Sequence, residues 1–128
     1  EMYNWWNEAL HGVARSAKAT VFPQAIAMGA TKTFNNSQAN GSDKLKQITK
    51  HCLMAIIDTH GSSGSANIAV RALAKAGTYL VVGQAGGDFK IPLIWLPQKA
   101  MTVRGSHVGN STQLRKLIKQ SKVNRLQL

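Results

Sequence analysis

Acidic residues are scarce in this chain. Glu1, Glu8, Asp43, Asp58 and Asp88 stand against sixteen Lys and Arg, giving a formal charge of +11 over 128 residues and a pI near 10.3. Carboxylates so isolated offer no pair for general acid and base work. The positive excess suits polyanions, such as nucleic acid or an anionic membrane surface. It suits equally a solvated basic surface, or a piece of a protein whose acids lie elsewhere. Cysteine is nearly absent as well. Cys52 alone excludes an intramolecular disulfide and any zinc site built from several cysteines. A lone thiol fits an intracellular, reducing compartment, cytoplasmic or an organelle matrix. No apolar run approaches the roughly 18 residues of a membrane helix. Glu1-Met2-Tyr3-Asn4-Trp5-Trp6 lacks the basic start and apolar core of a signal peptide. A first residue other than Met is compatible with a processed product, an excised fragment or an incomplete reading frame.

The hydrophobic content of 44% is enough for one core, and the length predicts a single domain over 1–128. Trp5, Ala9, Val13 and Ser16 recur at helical spacing, so Tyr3 to Ser16 is predicted to be a helix. Lys18 to Phe22 reads as a strand stopped by Pro23. Gln24 to Met28 allows one helical turn, with Gly29 as its cap. Thr31 to Phe34 is a second short strand, and Asn35 to Gly41 a polar loop. A helix capped by Ser42 follows from Asp43 to about Lys50, burying Leu45 and Ile48. Met54-Ala55-Ile56-Ile57 is a continuous apolar run, the pattern of a strand buried on both faces. A helix is predicted from about Ala66 to Ala76, with Ile68, Ala69, Ala72 and Leu73 inward and Gly77 as its stop. Thr78 to Val82 is the next buried strand, Pro92 to Gln98 a short helical turn, and Met101 to Ser106 a third buried strand. Asn110 or Ser111 then caps a helix with Leu114, Leu117 and Ile118 on its apolar side. Strands alternating with helices predict an α/β fold, with a mainly parallel sheet and helices on both faces.

Three of these strands end in glycine-rich turns. They are Asp58-Thr59-His60-Gly61-Ser62-Ser63-Gly64, Gly83-Gln84-Ala85-Gly86-Gly87-Asp88 and Ser106-His107-Val108-Gly109-Asn110. Open α/β sheets bind ligands at the carboxyl ends of their strands. Any strand-to-helix turn favours glycine, but three along one edge point to a ligand crevice. The histidines, His11, His51, His60 and His107, have no paired ligand spacing and read as ordinary surface or turn residues. Lys44, Lys46 and Lys50 share one helix, and Arg115, Lys116, Lys119, Lys122 and Arg125 cluster near the C-terminus. With Tyr3, Trp5 and Trp6 for stacking, these are candidates for an RNA contact. They read equally as a solvated helix face plus core aromatics.

The run from Ala55 to Leu93 resembles the zinc-type, medium-chain alcohol dehydrogenase family. The shared features are a strand ending in Asp and a Gly turn, then a helix ending in a basic residue and Gly, then a strand ending in Val81-Val82-Gly83. Met101-Thr102-Val103-Arg104-Gly105-Ser106-His107-Val108-Gly109-Asn110 is similar to the family's following strand and turn, and Ala27-Met28-Gly29-Ala30-Thr31-Lys32 to an earlier step. The resemblance implies a Rossmann-like domain in an oxidoreductase that transfers hydride between NAD or NADP and an alcohol or carbonyl. It implies that Asp58, His60 and Gly61 lie by the adenosine half of the cofactor. Val82, Gly83 and Gln84 are implied beside the nicotinamide ring, and Ser106, His107 and Val108 by its carboxamide.

The departures from the family are specific. Its first strand and G-x-G-x-x-G pyrophosphate loop are missing, with Trp5-Trp6-Asn7-Glu8 where the loop belongs. Pro23 and Gln24 stand where the ribose-binding acid is expected. The catalytic domain and its zinc ligands are absent from these residues. The rival readings are a degenerate dehydrogenase domain serving as a non-catalytic structural subunit, and a small nucleotide-binding module. An exposed sheet edge beside the missing strand predicts a homo-oligomer or a partner chain.

Overall fold

The computed structural model describes residues 13–16, 19–35 and 40–124. Strand β1 (Val13–Ser16) is followed by a 3-10 turn (Ala19–Val21), helix α1 (Phe22–Ala27), strand β2 (Lys32–Asn35) and helix α2 (Gly41–Ile48). Then come β3 (Ala55–Asp58), α3 (Ser63–Ala72), β4 (Thr78–Val81), α4 (Trp95–Lys99), β5 (Thr102–Gly105) and α5 (Ser111–Asn124). β1 and β2 form a two-stranded parallel sheet. β3, β4 and β5 form a second parallel sheet in that order, with Asp58 opposite Val81 and Val81 opposite Gly105. The expected α/β architecture with parallel strands is therefore present. No helix among the described residues is long and apolar enough to cross a membrane.

α3 forms because its first turn is capped twice. The Ser65 amide donates to Ser62 Oγ at 3.2 Å, and the Ser62 amide donates to Ser65 Oγ at 2.9 Å. Its buried residues Ala66, Ala69 and Val70, with Leu73 just beyond, share one helical face. That face packs on Tyr79 and Met101, with Ile56 and Val81 alongside. Tyr79 and Val70 are almost wholly buried, and burying a side chain of this kind contributes about 1.5–3 kcal/mol. Lys99 Nζ donates to the Val70 carbonyl at 2.8 Å, satisfying a helix-end acceptor. A second cluster joins the two sheets. Phe34, Leu45 and Ala72 form it, with Val13, Ile48, Leu53 and Ile68 against them. Val13 and Leu53 both pack against this cluster, and Arg15 lies within electrostatic reach of Asp58. β1 and β3 belong to separate sheets.

Several sequence expectations are corrected. Val13–Ser16 is a strand and not the end of a helix; the remainder of that predicted helix, Tyr3 to Gly12, lies outside the described residues. Thr20 to Phe22 is not a strand. Pro23 sits in the first turn of α1, where its missing N–H costs nothing, so it starts a helix instead of stopping a strand. Asn40, at φ 61°, precedes the first residue of α2, and Ser42 lies inside that helix. α3 begins and ends earlier than expected, and Gly77 does not cap it. Gly77 is instead packed so closely that a Cβ would lie 2.8 Å from Leu73 Cδ2. β3 and β5 are not buried on both faces. Ile57 is 49% exposed and every residue of β5 is exposed. Helix α3 covers one face of this sheet, and nothing among the described residues seals the other.

Candidate functional site

The site starts at the end of β3. Asp58 is 5% exposed, and its carboxylate is fully engaged. Oδ1 accepts from the backbone amides of His60 and Gly61, both at 2.9 Å, which folds the chain into a tight turn. Oδ2 accepts from the Tyr79 hydroxyl at 2.7 Å. The register explains that contact. Tyr79 pairs with Ile56, two residues before Asp58, so the two side chains lie on the same face of the sheet. Burial alone would raise the Asp58 carboxyl, but hydrogen bonds from Ser65, Gly61, Tyr79 and His60 together hold it below the ordinary carboxylate value. Burial first, then the hydrogen bond to Asp58 and the Asp58 charge, push the Tyr79 hydroxyl well above its ordinary value. Burial also lowers Arg15, against the pull of Asp58 and Tyr79.

The second turn is zipped onto the first. The amides of Val82 and Gly83 both donate to the Asp58 carbonyl at 2.9 Å. The Ala85 amide then donates to the His60 carbonyl at 3.0 Å, and the Gly86 amide to the Gly61 carbonyl at 3.1 Å. The two backbones touch where they cross. A Cβ on Gly61 would lie 2.0 Å from the Gly83 carbonyl oxygen, and one on Gly83 would lie 2.2 Å from the His60 carbonyl carbon. Gly61 also holds φ +70°, a conformation open to glycine at little cost. These two glycines are therefore explained by loop meeting loop. The third turn joins at its first residue, with the Ser106 amide donating to the Val81 carbonyl at 2.8 Å.

Asp58, His60, Gly61, Val82 and Gly83 thus form one hydrogen-bonded group. Gln84 continues it, and Ser106 attaches from the far side. His107 and Val108 project further along the edge, with Val108 76% exposed. Val82 and Val108 give the edge exposed apolar surface, and His60, Gln84, Ser106 and His107 are exposed beside it. A flat ring can lie on such apolar edges while backbone groups bind its polar substituents. Below the turns, on the α3 side, Ser62, Ser63, Ala66, Tyr79, Val81 and Phe89 line a cavity of about 160 Å³. That is smaller than the roughly 300 Å³ at which small-molecule pockets begin, so this cavity is too small for a dinucleotide. Among the described residues, no three His, Cys, Asp or Glu side chains come together.

Sequence reasoning missed Tyr79, Arg15 and the Ser62–Ser65 pair. The pair carried a local signal, two serines three residues apart just before an apolar helix. Tyr79 and Arg15 carried none, since each reaches Asp58 through tertiary structure. The position following β1 was also misplaced. The strand ends at Ser16, so Ala17 and Lys18 follow it, and Gln24 belongs to α1.

Comparison with known proteins agrees with this geometry. The sequence profile described as zinc-binding dehydrogenase matches residues 10–122. The alcohol dehydrogenase of Aeropyrum pernix superposes with a TM-score of 0.81 at 21% identity, over 88% of this chain and 32% of that one. The D-arabinose dehydrogenase of Sulfolobus solfataricus does so with a TM-score of 0.73 at 19% identity, over 90% and 35%. A curated protein of Neosartorya fischeri, named probable exo-1,4-beta-xylosidase xlnD, is 36% identical over 103 residues. That match takes in 72% of this chain but 10% of that protein. The chain spans about a third of the length of the solved dehydrogenases it resembles. Its fold is Rossmann-like, and the chain belongs to the zinc-binding dehydrogenase family.

Proposed function

We propose that the chain supplies the cofactor-facing edge of an alcohol-dehydrogenase-like oxidoreductase, with His60, Gly61, Val82, Gly83, Gln84, Ser106, His107 and Val108 facing the dinucleotide and Asp58 buried behind them as part of the same site. The supporting observation is the register of the three strand-end turns, hydrogen-bonded side by side at the carboxyl edge of one parallel sheet. A nicotinamide dinucleotide bound there supplies the hydride chemistry; the protein supplies position. The exposed residues His60 and Gln84 and the apolar surface of Val82 and Val108 suit the cofactor's two rings.

NADP(H) fits this chain better than NAD(H). An acid after the second strand of such domains binds the ribose 2′-hydroxyl of NAD, whereas a nearby Arg accommodates the 2′-phosphate of NADP. Here β1 carries Arg15 and ends at Ser16, followed in sequence by Ala17 and Lys18 with no acid. Titration with NADH and NADPH, followed by cofactor fluorescence, tests both claims. The expected result is weak binding with NADPH preferred. Binding weakened by the missing glycine loop is still expected to register at millimolar cofactor. No response at that concentration overturns the proposal, and a preference for NADH overturns the choice of cofactor.

This reading makes residues 1–128 one partial domain. Among the described residues β3 is an outer strand of its sheet, with Ile57 and Met54 exposed, and such an edge recruits a further strand. A dimer or larger complex is expected by light scattering, and a monomeric mass contradicts it.

A further inference from the structure

Asp58 has more hydrogen bonds than a turn residue needs. Its carboxylate takes them from the His60 and Gly61 amides and the Tyr79 hydroxyl, with the Ser65 side chain also turned to it, and its own carbonyl takes two more, from Val82 and Gly83. These partners come from the first strand-end turn, from the start of the second, from the core of the sheet and from the first turn of α3. A carboxylate this buried stabilises a fold less than an apolar side chain of its size would. Its presence is better explained by what it holds in place. Charge-assisted bonds from backbone amides are about twice as strong as neutral ones, and the His60 and Gly61 amides both donate such bonds to the carboxylate. The Tyr79 hydroxyl fixes the carboxylate's other oxygen, so the plane of the group cannot rotate freely. Arg15, on the neighbouring sheet, faces the same charge.

We propose that Asp58 is a positioning residue that locks the first two strand-end turns into one unit and acts on a bound dinucleotide through that unit, without touching it. Tyr79 is its orienting partner. The inference rests on the dinucleotide reading above, but the lock itself does not. Because the Asp58 carbonyl sets where the second turn begins, a shift of the carboxylate moves both turns together. The links from Ala85 to His60 and from Gly86 to Gly61 transmit that shift further along the edge.

Amide hydrogen exchange and NADPH titration of the 128-residue chain test it with two variants. Asp58→Asn keeps the shape but makes the bonds to His60 and Gly61 neutral. Tyr79→Phe keeps the packing but frees Oδ2. In Asp58→Asn, the His60 and Gly61 amides are expected to exchange at least tenfold faster, relative to the amides of Val70 and Leu73 in the same molecule. NADPH affinity is expected to fall about tenfold. Tyr79→Phe should show smaller changes of the same pattern, and it carries the test if Asp58→Asn does not fold. Equal acceleration at all four amides means that Asp58 only stabilises the fold, and it overturns the lock. Faster turn exchange with unchanged NADPH affinity overturns the action on cofactor. If the unsubstituted chain binds no NADPH, the proposed function fails, while the exchange ratio still upholds or overturns the lock.

Discussion

Helices α3 and α5 are built from the same local instructions and meet different fates. Each follows a strand-end turn, and each has a reciprocal side-chain cap. Ser62 and Ser65 cap α3, while Asn110 and Gln113 cap α5 through bonds of 2.9 and 2.8 Å. Each carries an apolar stripe. Ala66, Ala69, Val70 and Leu73 are buried, whereas Leu114, Leu117 and Ile118 are 57%, 53% and 46% exposed. Capping and periodicity decide that a helix exists; a facing surface decides whether it contributes a core. The sheet repeats the contrast. Tyr79 and Ile56 pack under α3, while Ile57 on the opposite face stays half exposed. Stability in this chain is therefore concentrated on the α3 side, and the following changes test that division.

The largest loss is expected from Gly83→Ala. Its Cβ would meet the His60 and Thr59 backbones at 2.2–2.4 Å, and backbone cannot rotate away as a side chain can. The zipped turns must separate, costing upward of about 3 kcal/mol, the far end of overpacking effects. Thermal unfolding followed by circular dichroism measures this. A shift no larger than that of Gly86→Ala, whose Cβ meets nothing within 4 Å but whose φ is +95°, would show that the crossing is loose. Next comes Leu73→Ala, which opens a cavity between α3 and the sheet. A loss of about 3 kcal/mol is expected, read from the denaturant midpoint. A loss below about 1 kcal/mol would remove the distinction between the two helices.

Much of this division was legible in the sequence, but unevenly. The turns at Asp58, Gly83 and Ser106 stood out because glycine and strand-ending residues recur there with fixed order. The apolar positions of α3 followed from helical spacing. β1 was hidden because Val13 and Ser16 also continue the helical spacing of Trp5 and Ala9, and four residues are too few to separate the two periods. Thr20-Val21-Phe22 imitated a strand through composition, and Pro23 has opposite meanings at a strand end and in a first helical turn. The Asp58–Tyr79 bond spans 21 positions and exists only through parallel register. The exposure of Ile57 and of β5 was equally hidden, since an apolar run does not state what will cover it.

Acidification should weaken the α3 side selectively. The folded Asp58 carboxyl lies below its ordinary value. Its contribution is thus complete above the unfolded carboxyl value of about 4, and it is lost as pH falls from there through the folded value. Tyr79 is shifted upward, so its contribution is complete below about pH 10 and declines as pH rises above that. Urea midpoints between pH 7 and 3 should fall below about pH 4 in the unsubstituted chain and fall less in Asp58→Asn. Equal slopes in the two proteins would mean that Asp58 is not held as a buried carboxylate.

The smallest effect is expected at Leu117→Gln. Leu117 is half exposed on α5, and a substitution at such a position changes stability by less than about 0.5 kcal/mol. Helix propensity is nearly unchanged, since Gln and Leu rank close together. The stripe itself is what the change removes. In the isolated chain the melting temperature should stay where it was. A clear drop would show that Leu117 is packed in solution, and the contrast between α3 and α5 would then fail at its simplest point. An unchanged melting temperature together with loss of the larger complex would locate the missing surface for α5 on another polypeptide.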